Sequence, residues 1–543
     1  MKSTNVFLKS QNSIVSAAVI IAATTGLNAL LGLIKGRLFT HYYGVSDQLA
    51  IFYTADRIPN MVYSLLVVGA LSTVFIPIFS ELVKKNREEA SETASAAINI
   101  SLITFTVLGT IAFIFAKQII EILSLGQFDQ ININLGVDLM RIMLVGQFIL
   151  ILSSFISTVL QTLRMFVIPA LAPVLYNIGM LVTTVILHEQ LGIYAPAIGV
   201  VVGALLHILI QIPIINKTGI NYLPTLKITK GISKLSHLVP YRILAVFAAN
   251  SLQTINNSFA ILISSSAVIH LKFATQLQTL PVSLFGASMS MAALPTLSAE
   301  SVGKTLDDFK KTFTTSLLQM LYMVVPASII LIVLKVPVVR IVYGVSQFPW
   351  DATVKTSYAL GFFGLSIIFQ SVIYLLTRAF YALKDTKSPV VVSLATIPVN
   401  IALTYICITY LKLGVWSIAM TYTVTSFIDV VVLMTLLNKR VGGFDINALF
   451  RPVVKISYAS LIMGLALYLP LKLLDNFVFD TAKTVGLVML TVVAGTLGLA
   501  TYLVLTHFMK VEEIQMFYKL LKKLNFTASS KDVILENDSA NEK

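Results

Sequence analysis

Long apolar runs recur along the whole chain, and they constrain its fold more than any other feature of the sequence. Each run of 18 or more mostly apolar residues can cross a hydrocarbon core of ~30 Å as a helix. Only 12% of the 543 residues are charged, against about 25% in a soluble domain. The sequence therefore predicts an all-α polytopic membrane protein.

Fourteen candidate transmembrane spans follow from these runs, and short polar loops separate them. They cover residues 14–36, 58–81, 94–116, 137–160, 168–187, 193–215, 240–264, 274–297, 313–334, 357–381, 389–411, 414–437, 454–474 and 484–507. The loops are too short to hold an inserted soluble domain. The polar tail that follows has a composition typical of disorder over part of its length.

Lysine and arginine concentrate on one side of this arrangement. With the N-terminus inside, 27 of the 39 basic residues lie in inside segments or at inner helix ends, and 12 lie outside. Cytoplasmic loops carry this kind of excess, so both termini are expected in the cytoplasm. The bias accounts for most of the formal net charge of +14, and no nucleic-acid partner is expected.

A polar elbow, TRAFYALKDTKSPVVV at residues 377–392, has a counterpart in LQTLRMFVIP at residues 160–169. Three aligned pairs share an offset of 220, namely Leu163 with Leu383, Arg164 with Lys384 and Pro169 with Pro389. We therefore predict two six-helix lobes inserted in the same orientation, which is one of the transporter architectures. The predicted regions are an N-terminal lobe at 1–220, a C-terminal lobe at 221–440, helices 13 and 14 at 441–510 and a cytoplasmic tail at 511–543.

Three cations, Lys35, Arg37 and Arg57, flank the outer half of the first two spans. A cation in hydrocarbon costs ~2.5–3.5 kcal/mol on insertion scales, so such residues face water or a partner. Two interpretations are open at this point. Lys35 and Arg37 extend to the outer headgroups while Arg57 pairs with Asp56 or Asp47, or the three cations line a cavity and hold a diphosphate.

Amide side chains form a stripe on the seventh and eighth spans. Its members are Asn250, Gln253, Asn256, Asn257, Gln276 and Gln278. These amides either join helices by hydrogen bonds or contact sugar hydroxyls or a coupling cation. Asn177 and Asn400 occupy near-repeat positions and are interpreted as structural. Asp429, inside the twelfth span, is expected to be protonated or paired, and is the candidate for a role in coupling.

Enzymatic chemistry has little support in the sequence. The chain has one cysteine, Cys407, and six scattered histidines without metal-ligand spacing. It has no Gly-rich loop ending in Lys-Ser or Lys-Thr, the pattern that binds nucleotide phosphates. We expect no enzyme activity, no metal and no cofactor, and coupling by the membrane potential or by a monovalent cation stays open.

Four segments carry a resemblance to a known family: RAFYALKDTKSPV, GLIKGRLFTHYYG, RIPNMVYSLLVVGALSTVFIPIFSE and LPVSLFGASMSMAALPTLS. They resemble the MurJ/MviN-type lipid II flippases of the multidrug/oligosaccharidyl-lipid/polysaccharide exporter superfamily. The resemblance implies a bacterial-type cytoplasmic membrane, a groove at helices 13 and 14 for a polyprenyl tail, and alternating access. It implies outward transport of a polyprenyl-diphosphate-linked sugar, with membrane lipids and other cell-wall synthesis proteins as partners.

Several positions depart from the pattern of that family. Asn60 matches it, but Lys35 replaces an arginine, and Thr275, Gln276 and Thr279 replace the charged residues of helix 8. Neutral residues also stand at three other positions that are charged in the family: Ala29, Ala50 and Tyr63. We therefore expect the first lobe to hold the diphosphate and the amides of helices 7 and 8 to contact the sugar. The alternatives are a drug/cation antiporter of the same superfamily and a scaffold for cell-wall assembly that transports nothing.

Overall fold

The computed structural model describes residues 14–67, 75–220, 222–227, 229–303, 305–477 and 483–515, and these residues contain helices and loops but no strand. The first ten helices are α1 (Ile14–Tyr43), α2 (Asp47–Ala55), α3 (Arg57–Leu66), α4 (Ile76–Lys85), α5 (Arg87–Ile114), α6 (Ala116–Leu123), α7 (Gln130–Thr162), α8 (Val167–Leu191), α9 (Tyr194–Leu209) and α10 (Ile212–Ile215). The other ten are α11 (Lys230–Ile263), α12 (Ser265–Pro281), α13 (Ser288–Glu300), α14 (Asp307–Val333), α15 (Lys335–Tyr343), α16 (Trp350–Ala382), α17 (Lys387–Tyr405), α18 (Trp416–Arg440), α19 (Ile446–Phe477) and α20 (Thr484–Phe508). Short π-helical segments follow α12 and α17.

Eleven helical segments within the described residues are long and apolar enough to cross a membrane. They coincide with the third to sixth and the eighth to fourteenth predicted spans, so the prediction of a polytopic all-helical membrane protein is confirmed. The first predicted span falls on α1 and the seventh on α11. The second falls on α3 and α4, and its residues 68–74 lie outside the described part of the chain. The predicted tail beyond residue 515 also lies outside it.

Helix starts in the loops are fixed by local capping. Asn86, Asp129 and Thr229 precede α5, α7 and α11, and their side chains accept hydrogen bonds from backbone amides two or three residues further on. Such caps satisfy amides that have no partner inside the helix, at a gain of about 1 kcal/mol each. The sequence therefore encodes these boundaries directly.

The two elbows that indicated an internal repeat have the same backbone geometry. Arg164 and Lys384 have φ angles of 62° and 58°, in the left-handed region where a helix commonly ends. In both elbows the next amide donates across the turn at 2.9 Å, from Met165 to Leu160 and from Asp385 to Phe380. The second elbow is also tied to the end of α18 by an ion pair between Asp385 and Arg440. The two elbows therefore match in backbone geometry as well as in sequence spacing.

The chain divides into two compact units. The first contains the described residues up to Gln276, together with Val342–Ala359 and Thr386–Thr425. The second contains Leu277–Ile341, Leu360–Asp385 and the described residues from Ser426 onward. In the second unit, α14, α19 and α20 share a core in which the Tyr502 hydroxyl donates to the Tyr322 carbonyl at 2.8 Å.

Small residues bring α8 and α9 close together in the first unit. A Cβ atom on Gly203 would lie 2.5 Å from the backbone oxygen of Tyr176, and one on Gly179 would lie 2.8 Å from the Cα of Gly203. Such contacts between small residues are the usual means by which membrane helices approach closely.

We predict that Gly203→Ala destabilises the protein. The added methyl group meets backbone that cannot move aside, and overpacking of this kind costs about 1–3 kcal/mol. Thermal unfolding of the purified protein in detergent should show a lower Tm. Gly495→Ala is the matched control, because nothing lies within 4 Å of its Cβ position. An equal Tm for the two variants would contradict the close contact of α8 and α9.

Candidate anion-binding site

Three cations and one acid lie together in the first unit. Lys35 is on α1, Arg57 begins α3, Lys272 is on α12, and Asp56 lies between α2 and α3. Asp56 interacts electrostatically with all three cations. Within the described part of the chain, no ion pair shorter than 4 Å joins Asp56 to any of them. With Asp56 ionised, this cluster carries two net positive charges.

Lys35 is held inside the protein by an amide. Its Nζ donates to Oδ1 of Asn177 at 3.2 Å, and Asn177 is a buried residue of α8. The Nδ2 of Asn177 donates in turn to Oδ1 of Asn28 at 2.6 Å. The Lys35 ammonium is therefore directed at α8 within the first unit.

Arg57 is also held by an amide. Its Nη2 donates to Oδ1 of Asn257 at 2.9 Å, and Asn257, on α11, is almost fully buried. The Nε of Arg57 is buried and has no hydrogen-bond partner among the described residues. A guanidinium group with one nitrogen bonded to a neutral amide and its Nε unpaired keeps a charge-assisted donor for a phosphate oxygen.

Lys272 was missed by the sequence reasoning. The predicted eighth span began at residue 274, but α12 begins at Ser265, so Lys272 lies within the helix. Its Nζ is 5.5 Å from the ring centroid of Tyr53. This placement adds a cation to helix 8, where neutral Thr275, Gln276 and Thr279 replace the charged residues of the family pattern. A lone lysine inside the apolar stretch VIHLKFA was the signal available in the sequence.

Gln276 lies one turn beyond Lys272 and packs against the glycines of α1. Its Nε2 is 3.4 Å from the Cβ position of Gly32, and its Oε1 is 3.7 Å from that of Gly36. Residues four apart share a helix face, so Lys272 and Gln276 both project from one face of α12. The two glycines allow α12 to approach α1 beside Lys35.

The remaining predicted site residues lie elsewhere or at the edge of the cluster. Arg37 donates to the carbonyl of Val342 at 3.4 Å. Asn60 donates to the carbonyl of Asp56 at 3.2 Å and therefore borders the cluster. Asn250 bonds to a carbonyl of its own helix. Asp429 is half-buried in the second unit.

The amide residues of helices 7 and 8 make different contacts. Asn257 reaches Arg57, whereas Gln278 donates to the Ser366 hydroxyl within the second unit. Gln253 is exposed. In the part of the chain that the structure describes, no group of three or more His, Cys, Asp or Glu residues is arranged to hold a metal ion. The cluster around Lys35, Arg57 and Lys272 has the charge of a candidate site for an anion.

A family model described as the lipid II flippase MurJ matches residues 39–486 of this chain. The chain belongs to the MurJ family. A relative from Bdellovibrio bacteriovorus, named a probable lipid II flippase MurJ, is 26% identical over 518 residues, which cover 93% of this chain and 96% of the relative. The lipid II flippase MurJ of Burkholderia cenocepacia is 27% identical over 398 residues, which cover 71% of this chain and 76% of that protein.

Solved structures agree with the MurJ assignment at the level of the fold. A structure of the lipid II flippase MurJ in an inward closed conformation superposes with a TM-score of 0.75 at 24% identity, covering 93% of this chain and 99% of that one. An inward-facing multidrug resistance MATE family transporter of the MOP superfamily gives 0.65 at 15% identity, covering 78% and 98%. The predicted resemblance to MurJ proteins is therefore confirmed.

Proposed function

We propose that this MurJ-family protein is a flippase that moves a polyprenyl-diphosphate-linked cell-wall precursor, of the lipid II type, from the cytoplasmic to the outer leaflet by alternating access. The observation that carries the proposal is the cluster of Lys35, Arg57 and Lys272, which exceeds its one acid by two positive charges. The relatives named above, described as lipid II flippases, support the substrate class.

The chemistry of a diphosphate suits this cluster. A diphosphate diester carries about two negative charges, which equals the excess charge of the site. Hydrogen bonds from lysine or arginine to phosphate are charge-assisted and roughly twice as strong as neutral ones. Amide side chains such as Gln276 would contact sugar hydroxyls, where hydrogen bonds are needed and charge is not.

The proposed architecture has fourteen spans, two six-helix lobes in parallel orientation, and both termini in the cytoplasm of a bacterial inner membrane. The common geometry of the two elbows supports the repeat, and the 27-to-12 distribution of basic residues supports the orientation. The groove for the polyprenyl tail would lie at α19 and α20, and membrane lipids and other cell-wall synthesis proteins are the proposed partners.

Cysteine labelling should reveal this orientation. In a Cys407→Ser background, an impermeant maleimide added to intact cells should label Glu189→Cys and Lys412→Cys, and should spare Glu88→Cys and Thr386→Cys. All four positions are exposed, so burial does not confound the comparison, as it would at the buried Asp385. Labelling of the second pair without permeabilisation would reverse the orientation and with it the direction of transport.

The membrane potential can supply the driving force without a nucleotide site. Moving one charge across 100 mV is worth ~2.3 kcal/mol, so about two negative charges leaving an inside-negative cell gain roughly 4–5 kcal/mol. Asp429 is the candidate if a monovalent cation is coupled instead. We expect Asp429→Asn to lose any dependence of transport on sodium or pH. Unchanged transport with unchanged dependence would remove Asp429 from the mechanism.

Depletion of the protein tests the proposal in cells. A lipid-linked precursor that cannot be exported should accumulate, so lipid extracts should gain a polyprenyl-diphosphate sugar that disappears when wild-type protein is restored. A strain that expresses the Lys35→Gln, Arg57→Gln, Lys272→Gln variant is the matched control and should accumulate the same lipid. Depletion without accumulation would contradict export and favour a scaffold.

The antiporter is the second candidate, because the MATE transporter shares the fold. An antiporter for cationic drugs needs acidic residues in its binding site, whereas this cluster is net positive. Transport of a cationic dye in exchange for protons or sodium would support the antiporter, and its absence together with precursor accumulation would exclude that candidate.

A further inference from the structure

Two cations of the candidate anion-binding site donate hydrogen bonds to the oxygens of buried amide side chains. Lys35 donates to Asn177 and Arg57 donates to Asn257. We propose that Asn177 and Asn257 are positioning residues that aim these cations without neutralising them, so that the charge stays available to the diphosphate. This inference rests on the proposed function, because it assigns roles around the same site.

The contacts of Asn177 fix the direction of its amide group. Its Nδ2 donates to Oδ1 of Asn28 at 2.6 Å and to the carbonyl of Pro173 at 3.3 Å. The Pro173 carbonyl can only accept and the Lys35 ammonium can only donate, so the nitrogen of the amide must face Pro173 and the oxygen must face Lys35. The ammonium group is thereby held 3.2 Å from a neutral acceptor.

Asn257 does the same for the guanidinium of Arg57. Its Oδ1 accepts from Nη2 at 2.9 Å, and only 1% of Asn257 is exposed. The buried Nε of Arg57 has no hydrogen-bond partner among the described residues. One nitrogen of the guanidinium is therefore fixed by a neutral group, and the neighbouring Nε is a donor that a phosphate oxygen can use.

The choice of an amide over a carboxylate determines the charge of the site. An aspartate has the shape of asparagine but adds a negative charge. An aspartate at one of these positions would reduce the excess from two positive charges to one. Aspartates at both positions would leave no excess charge. Carboxylates would hold Lys35 and Arg57 at least as firmly, so positioning alone does not account for asparagine.

The test uses the full-length protein in lipid nanodiscs and farnesyl diphosphate as the probe, with farnesol as the uncharged control. Asn177→Asp and Asn257→Asp should each weaken diphosphate binding by about tenfold or more, which corresponds to about 1.4 kcal/mol. Asn177→Ser and Asn257→Ser, which keep a neutral acceptor, should bind more tightly than the aspartate variants. A merely structural role gives the opposite order, because aspartate preserves the shape and serine leaves a cavity.

Two further variants sharpen this result. Asn400→Asp changes a buried amide that is bonded to the Thr425 hydroxyl, and it should bind farnesyl diphosphate like the wild type. Combining Asn177→Asp with Asp56→Asn restores the excess of two positive charges and should recover affinity.

The outcomes separate the two proposals. If wild-type protein binds farnesyl diphosphate no better than farnesol, the proposed function fails. If wild-type protein binds it but the serine variants are weaker than the aspartate variants, or the charge-restoring double variant stays weak, the proposed function stands and the positioning role is overturned.

Discussion

Neutralising Lys35, Arg57 and Lys272 together, each to Gln, should abolish flipping while leaving the protein folded and in the membrane. Hydrogen bonds to charged groups contribute about 1.5–3 kcal/mol each, so each single variant should lower apparent substrate affinity by roughly ten- to a hundredfold. Gln276→Ala removes only a neutral bond and should have a smaller effect. The measurement is the initial rate of flipping in proteoliposomes at several substrate concentrations.

Arg37→Gln is the matched control for this series. Arg37 lies on the same helix as Lys35, but its guanidinium donates to the Val342 carbonyl. We expect it to retain most of the activity. If transport survives the triple neutralisation at normal expression, the cations serve only to join helices through their amide partners. If Arg37→Gln lowers transport as much as Lys35→Gln, Arg37 also contributes to substrate binding.

Asp56→Asn should tighten substrate binding and slow turnover. Asp56 interacts electrostatically with all three cations, and its negative charge offsets part of the positive charge that attracts a diphosphate. Its removal raises the excess from two positive charges to three. The bound diphosphate should be held more firmly and released more slowly, so the half-saturating lipid concentration should fall together with the maximal rate.

Asp47→Asn provides the comparison for this variant. Asp47 is an exposed acid in the first turn of α2, nine positions before Asp56. Kinetics like those of the wild type are expected. Weaker binding by Asp56→Asn would show that Asp56 mainly keeps the mutually repelling cations together and does not compete with the substrate.

The sequence predicted the helical architecture well because apolar run length is a local property. Caps such as Asn86 and Asp129, and the left-handed turns at Arg164 and Lys384, are also set by nearby residues. The family resemblance rested on the same local motifs. These features could be read without knowing which helices are neighbours.

The composition of the site depended on long-range contacts and was predicted only in part. The sequence indicates Lys35, Arg37 and Arg57 as candidates but not their contacts. Residues two apart on a helix point in different directions, and Arg37 donates to the Val342 carbonyl while Lys35 donates to Asn177. The contact between Asn177 and Lys35 could not be predicted, because nothing in the sequence shows that these two residues are neighbours. Lys272 is absent from the predicted site because the predicted eighth span begins at residue 274, whereas α12 begins at Ser265.

The departures from the family pattern in helix 8 also have a physical account. The resemblance implied a charged group near position 276, where this chain has glutamine. Lys272 lies one turn earlier on the same face of α12, and it interacts electrostatically with Asp56, as Arg57 and Lys35 do. A cation is thus present on this helix, although at a position that aligned motifs would not indicate.

The most direct test of the central claim is a flipping measurement with purified protein. Liposomes would contain lipid II with a fluorescent label on its sugar, and an impermeant reductant would quench the label in the outer leaflet. With the wild-type protein, the protected pool should become accessible faster than in empty liposomes, and an imposed membrane potential should change the rate. A rate equal to that of the wild type in liposomes that hold the Lys35→Gln, Arg57→Gln, Lys272→Gln variant would contradict the claim that this cluster binds the diphosphate.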